Sequence, residues 1–280
     1  MGWLFDDAAT EYAYNAAWAA VTGAPCTLAA WLYTDVAQLQ AAIAISDTDV
    51  AQQGGFFGML NAAGNVLART KDAGGTTAGA QSTSAYPLNT WFHAAWVFTS
   101  ATSRAAFLNG GSKGTNTTSK TPAGIDAIAV AALKESTVSN YFSGIVAEAA
   151  LWNVALSDAE VALLGAGYAP EMVQRSGLRY YFSMLGGGVY DTIGGLLMTP
   201  VGSPDVDQHP SGLLLPLSWG GRGLPASVAK RVALRHRPAP PRRSAFVPKV
   251  QTPFELEVAT QPSRPPGWIV RPSPREIIVL

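Results

Sequence analysis

The chain has 280 residues, of which 48% are hydrophobic and 14% are charged; this excludes an intrinsically disordered protein, because such chains are poor in hydrophobic residues and rich in charge. The single cysteine, Cys26, excludes an internal disulfide framework and a cysteine-rich zinc cluster. Residues 1–213 hold 8 Lys and Arg against 16 Asp and Glu, and residues 214–280 hold 11 against 3, so the main boundary of the chain is predicted there.

Short apolar runs separated by turn residues follow one another from Cys26 to about Leu164, at the spacing of strands in a sandwich or barrel. Turn-forming residues lie between them, and Asn109-Gly110 gives the strongest hairpin signal. The Ala-rich stretch 8–20 has no clear assignment. Strands are predicted at 26–33, 40–45, 55–60, 66–70, 91–99, 104–108, 125–133 and 141–152.

One helix is predicted at 157–164, because Ser157 can cap its first turn and Glu160 follows three residues later, as in a capping box. Many short strands and a single short helix indicate an all-β sandwich.

Four of these segments, in this order, resemble laminin-G-like, or concanavalin A-like, jelly-roll domains. They are TLAAWLYTD at 27–35, NTWFHAAWVF at 89–98, RAAFLNGG at 104–111, and the closing strand with its short helix at 141–164. The resemblance implies a jelly-roll β-sandwich over residues 1–167. The family also implies an inward-facing tryptophan on an early strand. Trp31, Trp96 and Trp152 alternate with small residues on the predicted strands, so they are expected in the core rather than on a sugar-binding surface.

Residues 168–213 resemble the short segment that follows laminin-G-like domains in structural proteins of tailed phages, with Tyr180-Tyr181-Phe182 and His209-Pro210 as the matching residues. The resemblance implies that this segment packs on the sandwich and that the protein belongs to a virion. Asp6 and Asp7 follow the start directly and no long apolar run occurs, so neither an export signal nor a membrane span is predicted.

Residues 214–280 are predicted to form an extended, basic arm, since they hold 12 of the 19 prolines and too few apolar residues for a core. Arginines cluster in the arm, but no nucleic-acid module accompanies them, so a nucleic-acid partner is not expected. The short apolar segments are expected to anchor the arm on neighbouring subunits. The basic residues are Arg235, Arg237, Arg242 and Arg243, and the anchors are Phe246, Phe254, Leu256, Trp268, Ile277 and Leu280.

Catalysis is not expected, although the resembled family includes glucanases. A glycosidase needs two carboxylates facing one cleft. The closing strand offers only Glu148, whose neighbours at two-residue spacing, Val146 and Ala150, are apolar. Glu148 is therefore interpreted as a structural carboxylate bonded to turn amides, and His93 as a packed or hydrogen-bonded side chain.

Two kinds of ligand remain open. Calcium is the usual ion of the resembled family, and Asp47 and Asp49 are the candidate ligands, but no cofactor is required by the sequence. A glycan would stack on exposed aromatic rings beside hydrogen-bonding loops, for which Tyr86, Asn140 and Tyr141 are the candidates.

The favoured hypothesis is a non-enzymatic virion protein, a capsid decoration or minor head protein, whose arm holds it to the major capsid protein, to other virion proteins and to copies of itself. The alternative is a carbohydrate-binding adhesion module that contacts host glycans. The sequence alone leaves both open.

Overall fold

The computed structural model describes residues 2–16, 21–49, 54–184 and 190–214. The chain divides into two units after Gly223. The predicted anchors and basic residues of the arm lie outside the described residues, as does the whole second unit. The domain boundary at residue 214 therefore stays a prediction.

The described residues form two large antiparallel sheets, a two-stranded ribbon, one α-helix and a 3₁₀ turn at Pro170–Met172. The strands are β1 (Gly2–Phe5), β2 (Tyr12–Asn15), β3 (Cys26–Tyr33), β4 (Gln40–Ser46), β5 (Gly55–Leu60), β6 (Asn65–Lys71), β7 (Thr77–Ala85), β8 (Phe92–Ser100), β9 (Ser103–Leu108), β10 (Gly111–Asn116), β11 (Ala127–Val130), β12 (Leu133–Lys134), β13 (Val138–Ser139), β14 (Gly144–Trp152), β15 (Leu178–Phe182), β16 (Thr199–Val201) and β17 (Asp205–Asp207). The helix, α1, is Asp158–Gly165.

The first sheet has the strand order β10-β9-β8-β3-β14-β1-β17, with β15 also paired to β14. The second has the order β16-β2-β11-β4-β5-β6-β7, and β12 pairs with β13 in the ribbon. The all-β sandwich with one short helix is thus confirmed.

Alternate strand residues build the core between the sheets. Trp96 is fully buried and its indole N–H donates to the Met59 carbonyl on the other sheet at 3.2 Å. The rings of Phe56 and Phe98 also meet across the gap, with centroids 4.9 Å apart. Every residue of β14 is buried, which is typical of a central strand covered on both faces.

The segment after α1 adds strands to both sheets. β15 pairs with β14 and β17 pairs with β1 in the first sheet, whereas β16 pairs with β2 in the second. The last strands of the body are thereby tied to its first strands.

Several details differ from the sequence prediction, and the short strands β1, β2, β12, β13, β15, β16 and β17 were not predicted. The strand predicted at 125–133 is only Ala127–Val130, because Ala131 takes a positive φ of 66° that ends the extended chain. The strands β7 and β10 were not predicted, because they are edge strands made mainly of small and polar residues and carry little apolar alternation. The capping box of α1 is confirmed, since Ser157 and Glu160 each bond to the other's backbone N–H. No helix among the described residues is long and apolar enough to cross a membrane.

Candidate functional site

Three tyrosine rings and a lysine meet beside β2 and the chain that leads into β14. Tyr12 and Tyr14 share one face of β2, because alternate residues of a strand point the same way. The Tyr12 ring lies 5.6 Å from that of Tyr14 and 6.0 Å from that of Tyr141, measured between centroids. The ammonium of Lys134 lies over the Tyr14 ring, 5.9 Å from its centroid. These four residues are called the tyrosine patch.

The tyrosine patch consists of one buried tyrosine ring and two rings that are partly accessible to solvent. Tyr12 is buried, and burial, followed by the nearby Tyr14 and Tyr141 hydroxyls, raises its pKa, so it stays protonated in neutral solution. Tyr14 and Tyr141 are half-buried. The Lys134 ammonium donates to the Glu135 carbonyl at 2.9 Å, while the Glu135 carboxylate is held by Lys71 at 2.7 Å. The ammonium of Lys134 therefore adds a positive charge to an aromatic surface.

A short hairpin extends this surface with exposed apolar side chains. Tyr190 and Leu197 pair across it and are 59% and 56% exposed. The amide of Asn15, next to Tyr14, donates to the Leu197 carbonyl at 2.9 Å. Inside the hairpin, the fully buried Asp191 accepts from several backbone amides, including that of Tyr181 at 2.8 Å. The apolar pair is thus held firmly beside the patch.

The three predicted glycan residues have different environments. Tyr141 belongs to the tyrosine patch, and Asn140 precedes it in a left-handed conformation with φ 51°. Tyr86 is only 4% exposed, because its ring stacks on Phe92 with centroids 5.0 Å apart. Tyr86 therefore offers no ring face to a sugar, and that part of the prediction is corrected.

A second aromatic group lies where β3 and β8 run side by side. Trp31 pairs with His93 across the two strands, and their ring centroids are 5.5 Å apart. Tyr33 and Trp91 form the next pair, at 5.9 Å. We call these four residues the tryptophan patch. Trp31 is half-buried in it, so its expected place in the core is wrong, whereas Trp96 and Trp152 are fully buried as expected.

Helix α1 packs on the same sheet, against the turn at Asn109 and Gly110. Val161 and Leu164 of the helix pack in one cluster with Val97, Phe107 and Trp152 of the sheet. The tryptophan patch lies outside that cluster. His93 is 2% exposed, and burial lowers its pKa to about 3, so the imidazole is uncharged in neutral solution.

Glu148 is the centre of a buried polar group. It lies at a bulge of β14 with φ 52° and is 2% exposed. The Tyr181 hydroxyl donates to its Oε2, and the His209 Nε2 lies 2.9 Å from its Oε1. Burial, followed by the charge of Glu148, raises the pKa of Tyr181, so this phenol stays protonated. The interpretation that turn amides bind Glu148 is corrected, because two side chains from the segment after α1 take that role.

Three carboxylates converge at a turn that follows β4. Asp47, Asp49 and Asp126 each offer an oxygen, and these atoms lie within 4.8 Å of one another. The Asp126 carboxylate also accepts from the Thr48 amide at 2.9 Å, which ties the two loops together. Oxygen ligands of this kind suit calcium. The structure thus adds Asp126 to the predicted pair Asp47 and Asp49.

Several of these residues escaped the sequence analysis. The alternation of Tyr12 and Tyr14 is a strand signal that could have been found, although the surrounding alanines conceal it. Asp126 is a lone acidic residue 77 positions after Asp49, and His209 lies 61 positions after Glu148. Pairings that distant leave no local pattern in a single sequence.

Comparison with known proteins settles the family. The sequence model of the concanavalin A-like lectin/glucanases superfamily matches residues 7–162. The chain belongs to this superfamily. No curated protein matches the sequence. The predicted virion setting stays a prediction.

Solved structures with similar folds have low sequence identity to this member of the superfamily. A heptameric SAP-like pentraxin from Limulus polyphemus has 11% identity and a TM-score of 0.46 over 55% of this chain and 75% of its own. A putative carbohydrate binding protein from Bacteroides ovatus has 15% identity and a TM-score of 0.46, over 73% of this chain and 61% of its own. The CBM40 of a Ruminococcus gnavus IT-sialidase, bound to alpha2,3 sialyllactose, has 17% identity and a TM-score of 0.45, over 52% of this chain and 84% of its own.

Proposed function

We propose that the body of this protein binds carbohydrate through the tyrosine patch. The observation that carries the proposal is the pair of half-buried rings, Tyr14 and Tyr141, which pack on the buried Tyr12, with the Lys134 ammonium over the Tyr14 ring. The superfamily to which the chain belongs includes lectins by its description, which supports the same function.

The chemistry of the patch suits a sugar. Tyrosine rings offer flat apolar faces for the C–H faces of a pyranose, and their hydroxyls remain available as donors and acceptors. The ammonium of Lys134 has three N–H donors, and the Glu135 carbonyl accepts from one of them. The other two can bind an anionic group of a sugar, such as a carboxylate. We therefore propose an acidic saccharide as the ligand.

The proposal is binding without hydrolysis. Glu148, the carboxylate of β14, is buried and engaged by Tyr181 and His209. Glycoside hydrolysis requires a pair of carboxyl groups that reach the sugar from both sides of the bond. A chain whose β14 carboxylate is engaged in this way is better suited to hold a sugar than to cleave one.

A glycan array with the full chain tests this function. We expect acidic oligosaccharides to bind, and Tyr14→Ala and Tyr141→Ala each to weaken the affinity by about tenfold, because each removes a stacking face. Lys134→Gln should remove the preference for acidic over neutral glycans. Leu163→Ala, on an exposed residue of α1, is the matched control that should bind as the wild type does. An array without any signal would refute the function.

We further propose that the arm attaches the body to a larger assembly, with copies of the same chain among its partners. The charges support this, because residues 1–213 carry a balance of −8 and residues 214–280 one of +8. A virion is the assembly that the resemblance of residues 168–213 implies. We expect the full chain to self-associate at low salt, and a chain ending at residue 214 to sediment as a monomer. Equal sedimentation of the two would contradict an attachment role.

A further inference from the structure

The tryptophan patch contains polar atoms that the fold leaves unsatisfied. The indole Nε1 of Trp91 and the Nδ1 of His93 are buried and have no hydrogen-bond partner. Two core tryptophans differ, because Trp96 donates to the Met59 carbonyl at 3.2 Å and Trp152 to the Val173 carbonyl at 3.1 Å, whereas the indole N–H of Trp3 is also unpaired. Buried polar groups in folded proteins are nearly always paired, so two unpaired ones two residues apart at the start of β8 indicate a missing partner.

The patch has the form of a surface that takes an extended chain. Trp31 and Tyr33 are two residues apart on β3, about 6.6 Å along the strand. Each faces a ring from the β8 side, His93 and Trp91. Because Trp31, Tyr33 and Trp91 are half-buried, the rings line a strip of accessible apolar surface rather than a closed core.

A proline-rich segment fits this chemistry. Polyproline II helices lack internal hydrogen bonds, so their carbonyls are free to accept from an indole N–H, and their proline rings pack between aromatic rings. The arm of this chain contains a proline-rich sequence at 235–243, which reads Arg-His-Arg-Pro-Ala-Pro-Pro-Arg-Arg.

Charge favours the same partner. Four arginines flank the three prolines of this segment, whereas the body carries a balance of −8. The segment thus brings positive charge to a negative body while its prolines lie on the aromatic rings.

We propose that the tryptophan patch of one molecule binds the proline-rich segment 235–243 of a second copy of this chain. The Trp91 indole N–H donates to a backbone carbonyl of the bound segment, and the rings of Trp31 and Tyr33 pack against its prolines. The proposal rests on the self-association proposed for the arm and identifies the tryptophan patch as the surface that binds the arm.

Sedimentation of the full chain over a range of concentrations tests the receptor. We expect Trp31→Ala to weaken self-association by about tenfold or more, since aromatic anchors carry most of the energy of such contacts. The double variant Pro240→Ala/Pro241→Ala should weaken it to a similar extent from the other side. Leu163→Ala, on an exposed residue of α1 outside both patches, is the control that should associate as the wild type does.

Trp91→Phe separates binding from folding. It keeps a six-membered aromatic ring and removes the indole N–H together with the five-membered ring that carries it. The free energy of unfolding should change little, because the loss of a buried unpaired donor offsets the loss of packing. Self-association should nevertheless weaken by about three- to tenfold, the value of one hydrogen bond. A structural role of this N–H would instead lower stability and leave association unchanged.

A synthetic peptide of residues 234–245 completes the test. Added in excess to the full chain, it should dissociate the assembly and change the tryptophan fluorescence, and a peptide with all prolines replaced by alanine should do neither. If deletion of the arm abolishes association but Trp31→Ala and the peptide have no effect, this receptor is wrong and the arm proposal survives. If neutral oligosaccharides change the fluorescence and the peptide does not, the patch is a sugar site instead.

Discussion

Two buried polar regions of the same sheet differ in how completely they are paired. Around Glu148 the carboxylate Oε2 accepts from the Tyr181 hydroxyl, and the His209 Nε2 lies 2.9 Å from Oε1, although that oxygen accepts no well-aligned hydrogen bond. In the tryptophan patch, Trp91 and His93 each keep a buried nitrogen without a partner. A satisfied buried group stabilises the fold, whereas an unsatisfied one costs free energy unless something binds. The first region therefore holds the body together, and the second is free to serve recognition.

The largest effect is expected from Glu148→Ala. It leaves the Tyr181 hydroxyl without its acceptor and removes the carboxylate that lies 2.9 Å from the His209 Nε2, so the free energy of unfolding should fall by about 3 kcal/mol or more. Glu148→Gly is the matched variant: it removes the same carboxylate but relieves the left-handed backbone, and should lose about 1 kcal/mol less. Urea unfolding measures both. A loss below about 1 kcal/mol for the alanine variant would show that the two regions do not differ.

An acid-dependent loss of stability is expected from His93. Its pKa is lowered to about 3 in the fold and is about 6.5 in the unfolded chain, so below pH 6.5 the unfolded state binds the extra proton. Stability should therefore fall as the pH falls, with a slope of up to about 1.4 kcal/mol per pH unit from this residue. His93→Gln should remove that slope between pH 6.5 and 5, above the range of ordinary carboxylates. Identical slopes in the two proteins would contradict the burial of an uncharged imidazole.

Tyr181→Phe should have a smaller effect, about 1 to 3 kcal/mol, because it removes one donor from a buried carboxylate and keeps the ring. Its pH dependence gives a second check. The pKa of Tyr181 is raised in the fold, so its contribution is present below about pH 10 and is lost as the pH rises further and the unfolded phenol ionises. The variant should lose less stability than the wild type above pH 10. Tyr141→Phe, outside the Glu148 group, serves as the control.

The sequence predicted the sheets well and the sites less well, for a physical reason. Strand and turn signals are local, so β3, β8, β14 and the capping box of α1 follow directly from nearby residues. β7 and β10 lack that signal, since polar edge strands owe their place to their neighbours rather than to their own pattern.

The faces of a strand were harder to assign. In β3 the tryptophan alternates with small residues on both faces, so composition could not distinguish an outward Trp31 from an inward one. The partners of Glu148 were equally hidden, because Tyr181 and His209 come from a segment that joins β14 only after the chain has folded.

The pairing of the last strands with the first determines where this protein can be truncated. The superfamily match ends at residue 162, but β15, β16 and β17 lie after that point, and β1 lies before residue 7. A fragment trimmed to the match would leave β2 and β14 with unpaired backbone N–H and C=O groups along an edge. It would also lack Tyr181 and His209, which contact the Glu148 carboxylate. Such edges recruit other chains, so the trimmed fragment should aggregate.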